Sequence, residues 1–231
     1  MDWLDEPKMK VWKDNITRSG CVMNSLEPMQ LINTSRNELL FALCKADITT
    51  PQGGKLPQIV LIRGNVVVIV PLVKNRDTGE ERFITVVQYR IGNGIAGIEF
   101  PAGMIDRKID NPAGVASEEL LEETGVRISA SDLFPLSDRI LYTSPGLQDE
   151  GVYYFGCLLK MTDKEYRSIE GRKTGKEWEN EAIIVSLKTG EEIARSTNAA
   201  QVLLGLFLFQ SMQSRHPDGQ NIYPNDNRIG E

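Results

Sequence analysis

Glu119, Glu122 and Glu123 stand at i, i+3 and i+4 in the segment Ser117–Val126, which reads Ser-Glu-Glu-Leu-Leu-Glu-Glu-Thr-Gly-Val. On a helix these three carboxylates share one face, where like charges repel by roughly 0.2–0.5 kcal/mol per pair. A divalent cation turns that repulsion into attraction. Hard carboxylate oxygens suit Mg²⁺, with Mn²⁺ as a substitute, and such an ion fills its remaining positions with waters and substrate phosphates. The competing reading is a solvated acidic helix face, because Glu-rich helices are common. Two features favour the metal. The glutamates sit in the C-terminal half of the helix, where the macrodipole disfavours negative charge. The glycine-bearing turn Pro101-Ala102-Gly103 also lies upstream at a distance that lets a loop fold back over the helix.

Composition removes other chemistries. The chain has one histidine, His216, in a tail rich in Pro, Asn, Asp and Gly. A Ser-His-Asp triad or a three-histidine zinc site needs histidines in the folded part, so carboxylates, lysines or a metal must carry the proton and charge work. The three cysteines, Cys21, Cys44 and Cys157, are scattered without a Cys-x-x-Cys pair. Reduced thiols in a cytoplasmic protein are expected rather than a zinc ribbon or a disulfide framework. The N-terminus lacks the apolar stretch of a secretory signal, and no run of about 18 apolar residues suggests a membrane span. A formal charge of −6 argues against nucleic acid as partner, though a bound metal can reverse the local sign for a small phosphorylated ligand.

These groups need a scaffold. Asn37–Ile48 is compatible with strand or helix, while Ile59–Ile62, Val66–Val73 and Arg82–Arg90 are rich in β-branched residues and read as strands. Lys74–Glu81 is a polar hairpin loop and Ile91–Gly97 a glycine-rich loop. Pro112–Glu123 is the clearest helix, with Asn111 as N-cap, Pro112 at the first helical position and Gly125 as the stop. Ile140–Tyr142, Val152–Met161 and Ala182–Leu187 read as strands. Thr162–Asn180 is expected to hold a mobile polar loop. Glu191–Arg195 and Ala199–Gln213 are helical, the second apolar nearly all round and so covered by the sheet or by a second subunit. Strands interleaved with a few helices indicate an α/β fold with a mixed sheet. Residues 1–56 form a first segment, 57–213 the main domain, and 214–231 a disordered tail.

Gly103 through Val126 resembles the Nudix box. That pattern runs Gly, five residues, Glu, seven residues, Arg-Glu-apolar-any-Glu-Glu-any-Gly-apolar. Gly103, Glu119, Leu120, Glu122, Glu123, Gly125 and Val126 fit it. Three positions depart: the first spacer has six residues, its closing Glu is Asp110, and the Arg position is Glu118. In the family that Arg helps to hold a catalytic glutamate, so the reversed charge is expected to loosen its orientation, while the surviving carboxylates predict activity. The resemblance covers roughly Pro57 to Gln213. Val87-Gln88-Tyr89-Arg90 followed by Ile98-Glu99-Phe100-Pro101-Ala102-Gly103-Met104-Ile105-Asp106 is similar to the ADP-ribose and ADP-sugar pyrophosphatase branch. Ser144-Pro145-Gly146 points the same way, although Pro145 lies a few residues farther out than usual. Gly171–Val185 resembles the loop and strand that close the site, with a long Lys-Thr-Gly loop similar to plant-type ADP-glucose pyrophosphatases.

The resemblance implies a Nudix fold, with a mixed sheet sandwiched between helices and a β-rich N-terminal segment that builds a homodimer and part of the partner's site. It implies that the Ala102 carbonyl, Glu119 and Glu123 hold Mg²⁺ with Glu122 close by. Glu179 is the candidate general base and Glu181 its competitor, on a segment whose closure would bring the base to water only with substrate bound. Arg90, Glu99, Pro145, Glu150 and Glu181 are the candidate substrate contacts. A guanidinium such as that of Arg90 grips phosphate bidentately. The implied reaction is hydrolysis of the pyrophosphate of a nucleoside diphosphate sugar of the ADP-ribose or ADP-glucose type, giving a nucleoside monophosphate and a sugar phosphate. The alternatives are a Nudix enzyme for UDP-sugars, nucleoside triphosphates or dinucleoside polyphosphates, and a catalytically weakened nucleotide-sugar sensor.

Overall fold

The computed structural model describes residues 2–35, 37–105, 109–175 and 183–215. The candidate bases Glu179 and Glu181, and all but the first two residues of the expected tail, lie outside them. Along the chain run α1 (Pro7–Arg18), β1 (Val22–Asn33), β2 (Leu39–Thr49), β3 (Ile59–Ile62), β4 (Val66–Asn75), β5 (Glu81–Arg90), β6 (Ile95–Glu99) and β7 (Ala102–Met104). Then follow α2 (Pro112–Thr124), β8 (Phe134–Pro135), β9 (Leu141–Tyr142), β10 (Gly151–Met161), α3 (Asp163–Ile169), β11 (Lys173–Thr174), β12 (Ile183–Lys188), α4 (Gly190–Ser196) and α5 (Ala200–Arg215). This is the mixed α/β architecture expected. Among the described residues no helix is long and apolar enough to cross a membrane.

Two compact units share the chain, interleaved in sequence. The first comprises Met1–Val66, Met104–Asp110 and Ile140–Val152; the second comprises Val67–Gly103, Asn111–Arg139 and Tyr153–Glu231.

The first unit is a three-stranded antiparallel sheet, β1-β2-β3, with α1 against it. Between residues 2 and 35 the chain forms a helix, α1, and a long strand, β1. Alternation decides β2: Ala42, Cys44, Ala46 and Ile48 recur every second residue and are buried, which is strand period rather than helix period. Met9 and Trp12 of α1 join them in one core with Leu39 and Ile62. Pro28 lies inside β1, an edge strand, beside a register shift, the kind of place where a sheet tolerates proline.

The segment 140–152 belongs to this unit. β9 pairs with the start of β10 (Gly151↔Tyr142, Val152↔Leu141). The Asp149 carboxylate accepts the N–H groups of Arg63 (2.7 Å) and Gly64 (3.1 Å). Burial holds this carboxyl above the ordinary aspartate range, with those two N–H groups pulling the other way. The folded protein therefore binds that proton more tightly than the unfolded chain does. The associated stability is full below the unfolded pKa and is lost as pH climbs through the folded one. Asp149→Asn keeps an acceptor and cannot ionise. It is expected to gain stability relative to wild type as pH rises from about 3 toward neutrality. Melting temperatures of both proteins across that range check this; a difference that does not change with pH refutes it.

The second unit is built on a sheet of strand order β11-β12-β5-β4-β10-β8, with β6 beside β5 and β7 paired to β4. Val67–Val70 of β4 are buried on both faces, as a continuous β-branched run requires. Phe83, Phe100 and Phe209 meet edge to face, with centroids 6.0 and 5.3 Å apart. Gly205 lets α5 approach the sheet, since a Cβ there would stand 3.2 Å from Val70 Cγ2 and 3.3 Å from a Tyr154 ring carbon. α5 is only partly covered within the chain: Val202, Leu206 and Phe209 are buried, whereas Leu203, Leu204 and Phe207 are exposed.

One segment differs from its sequence reading, and another gains a helix that it did not foresee. Ile91–Gly97, expected as a loop, turns at Gly94 (φ 72°) and returns as β6, with Arg90↔Ile95 through Val86↔Glu99 paired. Thr162–Asn180, expected to hold a mobile loop, begins with α3, and its residues from 176 on lie outside the described residues. Thr162 and Glu165 close a capping box on each other's backbone N–H.

Candidate active site

α2 carries the glutamate trio, and its ends are fixed by local chemistry. Asn111 Oδ1 accepts the Gly114 N–H at 3.0 Å, Pro112 opens the first turn, and Gly125 ends the helix at φ 72°. Val115, Ala116 and Leu120 are buried and anchor one side. On the acidic face Glu118 and Glu122 are exposed, Glu119 is half-buried and Glu123 is buried.

Two contacts lay the Pro101-Ala102-Gly103 turn on that face. The Ala102 N–H donates to Glu123 Oε2 at 3.0 Å. A Cβ added to Gly103 would lie 2.1 Å from Glu119 Cδ, so Gly103 is a glycine for want of space rather than for its backbone angles. The turn is itself pinned, because the Pro101 carbonyl accepts the Ile69 N–H of β4 at 2.8 Å and Phe100 is buried.

The C-terminus of α2 is compensated from a later segment. Arg172 Nη1 donates to the Thr124 carbonyl at 2.9 Å, and Thr174 Oγ1 donates to the Glu123 carbonyl at 2.5 Å. These bonds satisfy carbonyls that a helix end leaves unpaired. The guanidinium also sets a positive charge at the negative end of the helix, offsetting the field that Glu122 and Glu123 face. Sequence reasoning missed Arg172 and Thr174. A glutamate-loaded helix end calls for a cation, but the residues that answer lie 48 and 51 positions further on.

The donor set fits a hard divalent ion. Glu119 and Glu123 border one turn, Glu123 through the Ala102 N–H and Glu119 beside Gly103, so two hard carboxylate donors flank it. Among the described residues no group of three or more His, Cys, Asp or Glu side chains is placed to hold a metal ion, and Glu122 is exposed. Few protein oxygens, completed by water and phosphate, is the pattern Mg²⁺ favours.

Arg90 and Glu99 come together in the β5–β6 hairpin. Arg90 Nε lies 3.0 and 3.1 Å from the two Glu99 oxygens, and Nη2 lies 2.6 Å from Oε2. The Glu99 side chain is 6% exposed and that of Arg90 43%, so a buried carboxylate fixes a guanidinium whose outer part reaches solvent. Strand alternation puts Gln88 on the same face as Arg90. It is buried, and its Nε2 has no hydrogen-bond partner among the described residues. Sequence reasoning gave Gln88 no separate role.

Pro145 and Glu150 belong to the first unit. Pro145 is exposed; Glu150 is buried, ion-paired with Arg63, and accepts the Thr143 hydroxyl at 2.8 Å. Cys44 and Cys157 are buried thiols and Cys21 is half-buried, all unbridged. Burial pushes both buried thiols up and leaves them poor nucleophiles.

No family model matches the chain. A relative and a solved structure are nonetheless similar to it. Over 226 residues the chain is 30% identical to Nudix hydrolase 14, chloroplastic, of Arabidopsis thaliana, in an alignment that spans 92% of this chain and 72% of that protein. Its fold matches a crystal structure described as that of an ADP compounds hydrolase, with a TM-score of 0.56 at 18% identity, covering 85% of this chain and 95% of the other. With identity of that extent, and with the acidic helix and its glycine turn assembled in one unit, the chain belongs to the Nudix hydrolase family.

Proposed function

We propose that this enzyme hydrolyses the pyrophosphate of a nucleoside diphosphate sugar of the ADP-ribose or ADP-glucose type, in an Mg²⁺-dependent reaction. The observation that carries the reading is the contact of the Ala102–Gly103 turn with Glu119 and Glu123. The description of the structural neighbour as an ADP compounds hydrolase supports the ADP class. Glu119, Glu123 and the Ala102 carbonyl hold the ion, with Glu122 nearby. Such an ion, when bound, supplies neutralisation of the diphosphate and a lowered pKa for an attacking water.

The other roles belong to side chains. Arg90, held in orientation by Glu99, grips a phosphate oxygen; Glu179, or Glu181 in its place, takes the water's proton. Pro145 and Glu150 contact the substrate, a role that rests on the family resemblance of Ser144-Pro145-Gly146. The enzyme acts as a cytoplasmic homodimer, a reading to which the exposed Leu203, Leu204 and Phe207 of α5 contribute. Neither nucleic acid nor membrane is expected as a partner; a net charge of −6 disfavours a polyphosphate backbone.

The test is a panel of ADP-ribose, ADP-glucose, UDP-glucose, GDP-mannose and ATP with Mg²⁺, read as phosphate released by a coupled phosphatase. Turnover is expected with an ADP-sugar at a kcat/KM at least about tenfold above the others. Preference for ATP or a UDP-sugar would refute the substrate class, and binding of the whole panel without turnover would favour a sensor.

A further inference from the structure

α2 carries Glu118, Glu119, Glu122 and Glu123 and has no basic residue in its last turn. A helix so loaded at its negative end must find its partners outside itself. They come from residues 172–174, within the same unit. Side chains alternate along an extended segment, so Arg172 and Thr174 share one side, while Lys173 takes the other and is exposed.

The two residues do different things. Arg172 Nη1 donates to the Thr124 carbonyl and Nη2 to Ser168 Oγ at 3.3 Å. A Cβ on Gly125 would lie 2.5 Å from Nη1, so the glycine that ends the helix also leaves the guanidinium its way in. Thr124 itself offers nothing to an ion, because its side chain is buried and its hydroxyl donates to the Leu120 carbonyl at 2.5 Å. Thr174 reaches the residue before. Its Oγ1 donates to the carbonyl of Glu123, whose carboxylate accepts the Ala102 N–H at 3.0 Å. Glu123 is thus gripped twice, by its backbone and by its side chain. The backbone grip is anchored in the sheet: Thr174 pairs with Ile183 of β12, and β12 lies beside β5. Water can satisfy a carbonyl at a helix end. A half-buried hydroxyl on a strand instead fixes where the backbone of Glu123 stands against the sheet.

We propose that Thr174 is a positioning residue for the divalent ion: its hydroxyl, bonded to the Glu123 carbonyl, holds that glutamate where its carboxylate serves as a ligand. This rests on the reading above, in which Glu123 binds the ion. Groups that orient a metal ligand typically cost roughly 10–100-fold in metal affinity or activity when they are lost.

Mn²⁺ binding, followed by the electron paramagnetic resonance of the free ion, needs neither substrate nor turnover. Thr174→Val keeps the shape and the strand preference and drops only the hydroxyl. It is expected to weaken Mn²⁺ binding about tenfold. The Mg²⁺ concentration for half-maximal rate should rise by a similar factor, with kcat at saturating Mg²⁺ within about threefold of wild type. Thr174→Ser restores the donor and should recover most of the binding. Arg172→Met removes the neighbouring bond together with a positive charge. It should lower the melting temperature yet leave Mn²⁺ binding level or tighter, because a cation has been taken away from the carboxylates. Wild-type Mn²⁺ affinity in Thr174→Val would overturn the assignment. So would equal weakening in Arg172→Met, which would make both residues caps on a helix and nothing more. Wild-type protein that binds no Mn²⁺ would overturn the metal reading itself and this assignment with it, a failure distinct from the other two.

Discussion

Glu123→Gln is expected to lower turnover by roughly 10²–10³-fold while leaving the fold intact. Each factor of ten is about 1.4 kcal/mol of transition-state stabilisation, so the loss is about 3–4 kcal/mol. The replacement is nearly isosteric, and its carbonyl can still accept the Ala102 N–H that Glu123 Oε2 takes at 3.0 Å. Only charge is removed. That charge is buried at the end of a helix whose dipole opposes it, so the melting temperature should stay level or rise. The same change at Glu119 should act similarly, and in both variants Mg²⁺ should activate more weakly. Steady-state rates over an Mg²⁺ titration, with thermal unfolding alongside, decide the matter. Wild-type rates with wild-type Mg²⁺ dependence would remove the metal assignment.

Gly103→Ala should be almost as damaging to activity, with only a small effect on stability. The backbone at Gly103 is not in the left-handed region, so alanine meets no conformational penalty there. The new methyl would meet Glu119 Cδ at 2.1 Å, and the end of a half-buried side chain can swing aside. The enzyme then folds with one ligand displaced. A misplacement of about 1 Å can cost about 10²-fold in rate, and a turnover loss near that size is expected. The melting temperature should move by no more than about 4 °C, roughly what 1 kcal/mol does in a domain of this length. A Gly103→Ala/Glu119→Gln double variant should fall no further than the worse single one. Full activity in Gly103→Ala would show that Glu119 does not need its present position.

The parts of the fold that could be read directly were those with short-range causes. Asn111, Pro112 and Gly125 mark α2 within a residue of its observed end, because caps act on the turn next to them. The strands from Ile59 to Arg90 follow from β-branched runs. β6 was hidden, since Ala96, Gly97 and Glu99 disfavour a strand and break its pattern, and it is held by its ladder with β5. α3 did carry a signal, Thr162-Asp-Lys-Glu165, which the polarity of the segment obscured. For the site, the glutamate trio and the glycine turn are legible because a helix repeats every few residues and one turn has little room. Arg172, Thr174 and Arg63 act on partners 48 to 87 positions away, and no local pattern announces such a pairing.

The interleaving of the two units has a consequence for biosynthesis. Asp149 and its acceptors' partners, the amides of Arg63 and Gly64, are 86 and 85 residues apart. At about 5–20 residues per second a ribosome takes roughly 4–17 s to cover that interval. Meanwhile the nascent β3 has β2 on one side but not yet Leu147 and Asp149, which later bond to Leu61. An unpaired strand edge invites wrong partners, and the first unit completes itself only after Val152 has been delivered.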